Sequence, residues 1–297
     1  DISATSQMLS DQAFALADDG HEVIVIAAQQ GYADKSQRLP AAETINGVEI
    51  HRVWTSSFGR HRLRGRAIDY ASFFLTACAK LLRIMRPGDV VVTKTDPPLL
   101  SVITTPLCVM RGAKSVNWLQ DIFPEVAERL GIGSSRLARL CHATIRTARN
   151  VSLRRADRNI VLGRVMRHHV EGLGVAPSQI VEIPNWADGS TVRPVAPAAN
   201  ALRTEWGLAV HFVVAHSGNL GRAHDFQQFL EAIALLEGDA IHQPEPGGPT
   251  ARQHVPGPLA SVRWLFIGGG VNFAGLETAV AERHFKTVHF KPYQPRE

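Results

Sequence analysis

A parallel α/β fold in two units is what this chain predicts, on three observations. Short apolar runs such as residues 23–28 and 262–267 alternate with helical stretches along the whole length, the pattern of strands joined by crossover helices. At 297 residues the chain exceeds the usual size of one domain. Residues 185–199, rich in Pro and Ala and without period, read as a linker. The units are therefore 1–184 and 200–297.

The elements follow in order. Met8, Leu9, Ala13, Leu16 and Ala17 form a helical stripe that ends at Gly20, a good C-terminal stop. Residues 23–28 are a continuous apolar strand of the parallel kind. The turn signal Asn46-Gly47 introduces a strand at 48–53. Further helices are predicted at 66–86, 99–110, 121–130, 135–156 and 165–172, with strands at 89–93, 115–119, 159–162 and 180–183. The second unit repeats the pattern: a short helix at 201–206, a strand at 211–215, a helix from 223, a strand at 262–267, a helix at 276–284 and a strand at 287–290. Residues 238–261 are rich in Pro, Gly and His and read as a mobile surface loop. The first element is a helix, so the first strand of the sheet is expected upstream of Asp1. Only three strands follow the linker, so the second domain is expected to be cut short.

Composition narrows the class. Hydrophobic content of 45% and charged content of 20% suit a globular protein with a real core. Cys78, Cys108 and Cys141 form no C-x-x-C pair and are odd in number, which points to a reducing cytoplasm. The longest uncharged run, 97–110, is too short to span a bilayer, and no charged-then-apolar leader opens the chain. The net charge is +5 and arginines cluster at 60–66 and 136–158. Nucleic acid, anionic lipid, an anionic substrate or plain solvated helix faces each account for that balance.

Two glycine-rich strand ends lie where open α/β sheets bind ligands. One is Gly218-Asn219-Leu220-Gly221-Arg222, read as a tight turn ahead of a helix at 223. Its glycines admit close backbone approach, the helix start offers N–H groups to phosphate, and Arg222 adds a planar cation. An ordinary strand-to-helix turn is the equal alternative. The other is Gly268-Gly269-Gly270. It fails the G-x-G-x-x-G dinucleotide pattern, and no G-x-x-x-x-G-K-[ST] loop exists. No histidine pair has zinc-protease spacing, so no metal site is expected. Gln120-Asp121 ends a strand of the first unit. Asp121 reads as a base or hydroxyl-orienting group, or as the cap of a helix starting at Ile122. Asp96 has the same two readings, with Pro97 at the first helical position.

Taken in order, Thr95-Asp96-Pro97-Pro98, Trp118-Leu119-Gln120-Asp121-Ile122-Phe123-Pro124-Glu125, Ile183-Pro184-Asn185-Trp186, the Ser217 to Asp225 turn and Phe290-Lys291-Pro292-Tyr293-Gln294-Pro295-Arg296 resemble the GT-B glycosyltransferases. Within them the likeness is to glycosyltransferase family 4, in the bacterial subgroup that builds surface polysaccharides. The resemblance implies two Rossmann-like domains facing across a cleft, with the acceptor on the first and a nucleotide-diphosphate sugar on the second. It implies retention of anomeric configuration, no metal, no cofactor and no nucleic-acid partner. It matches Arg222 to the arginine that neutralises the donor diphosphate. Gly268, Gly269 and Gly270 and the segment Lys291, Pro292 and Tyr293 match positions that line the nucleotide; beside them Gly218, Asn219 and Gly221 are read as donor-binding, Asp96 and Gln120 as acceptor-side and Asp121 as the catalytic residue. The lysine that often follows the family arginine has no counterpart here. The family's paired donor-side glutamates would follow Glu297, so this chain alone is expected to bind nucleotide weakly and turn nothing over. A lipid-linked acceptor and a place on the inner face of the cell membrane are also implied. A nucleotide-sugar epimerase of the same fold, or a non-catalytic basic module binding membrane or nucleic acid, are the alternatives.

Overall fold

Alternating apolar and amphipathic segments fold as the patterning requires. A computed structural model describes residues 4–31, 38–58, 63–125, 136–189, 192–221, 224–237 and 262–294. Its internal contacts divide it into Asp1–Trp186 and Ala187–Glu297.

In the first unit, α1 (Ala4–Asp18) leads through Gly20 into β1 (Val23–Ala28), β2 (Ala42–Ile45) and β3 (Val48–Val53). There follow α2 (Leu63–Ile84), β4 (Val90–Lys94), α3 (Ser101–Arg111), β5 (Lys114–Trp118), α4 (Arg136–Arg155), β6 (Arg158–Val161), α5 (Arg164–Gly172) and β7 (Ile180–Glu182). The strands form two sheets, ordered β1-β3-β2 and β4-β5-β6-β7. The second is parallel throughout.

The first sheet departs from the expected all-parallel pattern. β2 pairs antiparallel with β3, while β1 pairs parallel with it. Asn46 and Gly47 both adopt positive φ, as a two-residue hairpin turn requires. The turn signal therefore had a strand on each side. The earlier one, Ala-Glu-Thr-Ile, lacks an apolar run because it lies at the sheet edge and is largely exposed.

The interior of the first unit is partly polar. Asn117 Nδ2 donates to Asn159 Oδ1 at 2.9 Å, linking β5 to β6. The Thr105 hydroxyl meets Ser115 Oγ at 3.0 Å and Ser152 Oγ at 3.2 Å, linking α3, β5 and α4. These contacts offset much of the cost of burying the groups, while Asn117 Oδ1 has no partner. Around them pack Leu119, Leu153, Val161, Val170, Val175 and Ile180. Cys78 and Cys108 are buried free thiols.

The second unit contains α6 (Ala201–Glu205), β8 (Phe212–Asn219), α7 (Gln227–Glu237), β9 (Val262–Gly269), α8 (Phe273–Glu282) and β10 (Val288–Lys291). The sheet is parallel, ordered β10-β9-β8. Its core is apolar, with Leu220, Leu230, Ile233, Trp264, Phe266 and Leu276 at its centre.

Several expected boundaries move. β8 runs through Asn219 rather than ending at 215, because Gly218 and Asn219 still pair with Gly268 and Gly269 of β9. The glycines at 218, 268 and 269 thus belong to strands, not to turns. The following helix starts at Gln227 rather than 223, and Asp225 Oδ1 accepts from the Gln227 N–H at 2.9 Å. The phosphate-binding helix start expected directly behind Gly221 is therefore not there. In the first unit α3 starts at Ser101, which removes the capping role of Asp96 and the first helical position of Pro97. Residues 121–124 are not helical, so Asp121 does not cap a helix at Ile122. The rest of the expected 121–130 helix lies outside the described residues, as does the 238–261 loop. No helix among the described residues is long and apolar enough to cross a membrane.

Candidate functional site

In the first unit the parallel strands β4 and β5 end side by side, with Lys94 paired in register to Trp118. Beyond these ends stand Thr95, Asp96, Gln120 and Asp121. Thr95 Oγ1 accepts from the Gln120 backbone N–H at 3.1 Å. That leaves its own proton for the Asp121 carboxylate, to which the Thr95 side chain is hydrogen-bonded. Asp121 keeps contact with solvent, yet neighbouring atoms displace enough of its water to hold its pKa above the ordinary carboxylate value. The Thr95 bond opposes that rise, and the Asp96 charge adds to it. A carboxyl so tuned, with its orientation fixed by a hydroxyl, is suited to holding or deprotonating an acceptor hydroxyl.

The Gln120 side chain turns elsewhere. Its amide exchanges two hydrogen bonds with Asn185, each at 3.1 Å. Next to that pair the Trp118 and Trp186 rings stack with centroids 5.5 Å apart and planes 19° from parallel. The Lys94 ammonium lies 3.7 Å from the centre of the Trp118 ring and donates to the Thr5 carbonyl at 3.0 Å. Burial lowers its pKa to about 8, against the raising influence of Asp96.

A small cleft opens beside Asp121. Thr95, Leu99 and Ser101 line one side, Leu119 and Asp121 to Phe123 another, and Arg149 and Leu153 of α4 the third. Arg149 corrects the reading of the arginine-rich helix as a solvated face. It is 5% exposed and ion-paired through Nη2 with Glu125 Oε1. The sequence signal was its position: Ile145, Arg149, Ser152, Leu153 and Ala156 share one helical stripe, and the last three are buried. Thr95 and Lys94 were also missed, since one hydroxyl and one lysine at a strand end carry no pattern.

In the second unit the site is made of backbone. The ends of β8 and β9 approach so closely that a Cβ on Gly268, where φ is +130°, would collide with the Gly218 carbonyl. A Cβ on Gly270 would stand 2.6 Å from the Leu220 carbonyl oxygen. The Tyr293 ring lies against this pair of strand ends, 3.3 Å from where a Gly269 Cβ would be. Asn272 ties down the loop after β8, donating from Nδ2 to the carbonyls of Gly221 at 3.1 Å and His224 at 3.0 Å. Gly221 N–H in turn donates to His224 Nδ1 at 3.0 Å.

The structure therefore brings together Gly218, Asn219, Gly221, Gly268, Gly269, Gly270 and Tyr293. Pro292 is exposed beside Tyr293, and the Lys291 ammonium lies 5.2 Å from the centre of the Trp206 ring. Arg222 lies outside the described residues. No group of three His, Cys, Asp or Glu among the described residues could hold a metal ion.

Comparison with known proteins fits this geometry. Residues 4–186 match the family described as "Glycosyl transferase 4-like domain". The chain is 31% identical over 195 residues to "Probable glycosyltransferase WbjE" of Pseudomonas aeruginosa, covering 64% of this chain and 47% of that one. It is 25% identical to "Putative colanic acid biosynthesis glycosyl transferase WcaI" of Escherichia coli K12, covering 94% of this chain and 65% of that one. The chain thus spans about half to two thirds of the length of these relatives. Among solved structures, Anabaena Alr3699/HepE in complex with UDP shares the fold at a TM-score of 0.61 and 14% identity, over all of this chain and 67% of that one. The strand-end carboxylate of the first unit, the glycine-lined strand ends of the second and the match across residues 4–186 lead to one assignment: the chain belongs to the glycosyl transferase 4-like family, with a GT-B fold.

Proposed function

We propose that the protein moves a sugar from a nucleoside-diphosphate sugar to an acceptor hydroxyl, in the building of a bacterial surface polysaccharide. The observation that carries this reading is the closely packed glycine end of β8 and β9 with Tyr293 against it. At Gly218 an added Cβ would meet nothing within 4 Å, so the backbone there is open to a phosphate, and Tyr293 offers an aromatic face. HepE, of the same fold, binds UDP, and the names of WbjE and WcaI call them glycosyltransferases. In this reading Arg222 neutralises the diphosphate and Asp121 holds the acceptor hydroxyl. The reaction retains anomeric configuration and needs no metal, so chelator leaves nucleotide binding unchanged.

Calorimetry with UDP tests the donor site. Wild-type chain binds UDP, and Arg222→Ala weakens that binding about 10- to 100-fold, the value of one charged hydrogen bond. Equal affinities in the two proteins would remove Arg222 from the site. Failure to bind any nucleoside diphosphate would remove the donor site itself.

The acceptor in this reading is lipid-linked, met at the inner face of the cell membrane. Phe58, Ile68 and Leu75 support it, being 69%, 49% and 75% exposed on and beside α2. Arg66, on the same helix, donates from Nε to the Tyr70 hydroxyl. Of the neighbouring arginines, Arg60 and Arg62 lie outside the described residues. Vesicles with anionic lipid should co-sediment the protein at low salt, and each basic residue near the surface contributes about 1 kcal/mol. Equal sedimentation with neutral vesicles counts against the membrane step alone.

A further inference from the structure

We propose that the open face of Trp186, with the paired amides of Gln120 and Asn185 beside it, is a platform for a pyranose ring of the acceptor. That the sugar is an acceptor rests on the transferase reading; that a sugar fits here rests on the residues themselves. All of them belong to the first unit. Trp118, at the end of β5, is 1% exposed, and the Lys94 ammonium lies 3.7 Å from the centre of its ring. Trp186 stacks on this fixed base with planes 19° from parallel, yet remains 39% exposed. Trp118 covers one face of the Trp186 indole, so the exposed area is the other face and the rim. The indole is therefore held flat by a buried partner and open on its far side.

A pyranose carries C–H bonds on its faces and hydroxyls around its rim. The faces suit an indole, whose π surface is negative and attracts the positive hydrogens of C–H bonds. The rim needs partners that donate and accept at once, because each hydroxyl does both. A side-chain amide has two N–H donors and two carbonyl lone pairs. Gln120 and Asn185 exchange two hydrogen bonds, each at 3.1 Å, so each amide keeps a second N–H and a second lone pair. Asn185 is exposed and Gln120 half-buried, which leaves that second set within reach of a ligand. The two amides also hold each other in place, so little freedom is lost when a sugar binds. Thr95 ties the platform to the reacting group. Its hydroxyl oxygen accepts from the Gln120 N–H at 3.1 Å, and its side chain is hydrogen-bonded to Asp121. A neutral ligand rich in hydroxyls also suits a carboxylate neighbour, which would repel an anion. A ring seated on Trp186 would fix one part of the acceptor while Asp121 holds the reacting hydroxyl, which is how binding away from the reacting atoms becomes orientation.

The test is saturation-transfer NMR and calorimetry of the chain with methyl α-D-glucopyranoside, methyl α-D-galactopyranoside and methyl N-acetyl-β-D-glucosaminide. Each is taken to about 50 mM, enough to fill most of a site with a Kd of ~10 mM. At least one glycoside should bind, with saturation strongest on the C–H protons of one ring face. Trp186→Ala should weaken that binding about tenfold, and Trp186→Phe should retain most of it, because a flat ring is restored. Asn185→Ala leaves both indoles in place and should weaken binding about three- to tenfold, the value of a neutral hydrogen bond. No binding of any of the three by the wild type, or binding that either Trp186→Ala or Asn185→Ala leaves unchanged, overturns the proposal. UDP titrated into the same samples should bind wild type and Trp186→Ala equally; a loss in the variant would move Trp186 to the donor and overturn the acceptor platform. A wild type that binds glycoside but no nucleoside diphosphate keeps the sugar platform and fails the transferase reading, so the two fail separately.

Discussion

The two units build their candidate sites from different materials. In the first, side chains do it: Thr95, Asp96, Gln120 and Asp121 converge beyond two strand ends, with Lys94 and Arg149 behind them. In the second, the backbone does it: glycines at 218, 268 and 270 with positive φ let two strands close on each other. A site made of side chains answers to charge and pH and tolerates small changes of volume. A site made of backbone is indifferent to pH and intolerant of a single methyl group. In the proposed reading, the common nucleotide group is held by polypeptide and the titratable residues are kept for the variable acceptor.

The sharpest way to break this contrast is Gly268→Ala. Its Cβ would meet the Gly218 carbonyl at a φ few L-residues adopt, which should destabilise the second unit by about 3–5 kcal/mol. Urea unfolding followed through Trp264 fluorescence reads this directly. A loss below ~1 kcal/mol would mean that the strand ends are looser than described.

Asp121→Asn tests the other half. In a protein that also carries the paired donor-side glutamates, sugar transfer should fall about 10²- to 10⁴-fold, with UDP affinity unchanged. Because the Asp121 pKa is raised, the native state holds that proton more tightly than the unfolded chain. The ionised carboxylate therefore costs stability above its folded pKa, and the Asn variant should melt no lower than wild type at neutral pH. Activity that requires the ionised form should fall off in acid at a pH above that of an ordinary carboxylate. Thr95→Val, which removes the bond opposing the rise, should move that limb higher still. An unmoved limb would take Thr95 out of the site.

Smaller, and specific to the first unit, is the effect of Lys94. Its pKa of about 8 lies below the usual 10.5. Between those values the unfolded chain keeps a proton that the native state has released, so stability should rise with pH across that window. The rise is on the order of 1–3 kcal/mol, and Lys94→Met should flatten it. Chemical denaturation at pH 7.5 and pH 10 in both proteins gives the comparison.

How much of this was legible depends on what each segment is made of. Residues 23–28 and 48–53 were bounded correctly, the first because it is a continuous apolar run and the second because it alternates directly after the Asn46-Gly47 turn signal. The candidate residues at the strand ends were singled out because ligands gather there in such sheets, whatever the chemistry. β2 was missed because Ala42, Thr44 and Ile45 are exposed at an edge, so the strand shows no buried apolar face. The ends of β8 and β9 were misjudged because glycine reads as a turn, whereas here it serves two strands packed too closely for any other residue. Arg149 and Lys94 were hidden for a third reason. Sequence records that a residue is basic, but only the fold decides whether that charge is surrounded by water or by Trp118, Leu153 and Glu125.

The stacked indoles of Trp118 and Trp186 have a further consequence. Two nearly parallel chromophores with centroids 5.5 Å apart couple their electronic transitions. Such a pair gives a paired signal in ultraviolet circular dichroism that depends on their mutual angle. Trp186 is the last residue of the first unit, so the chain carries a built-in optical gauge at the point where one unit hands over to the next. Any event that changes the angle between these two rings would be recorded without an attached label.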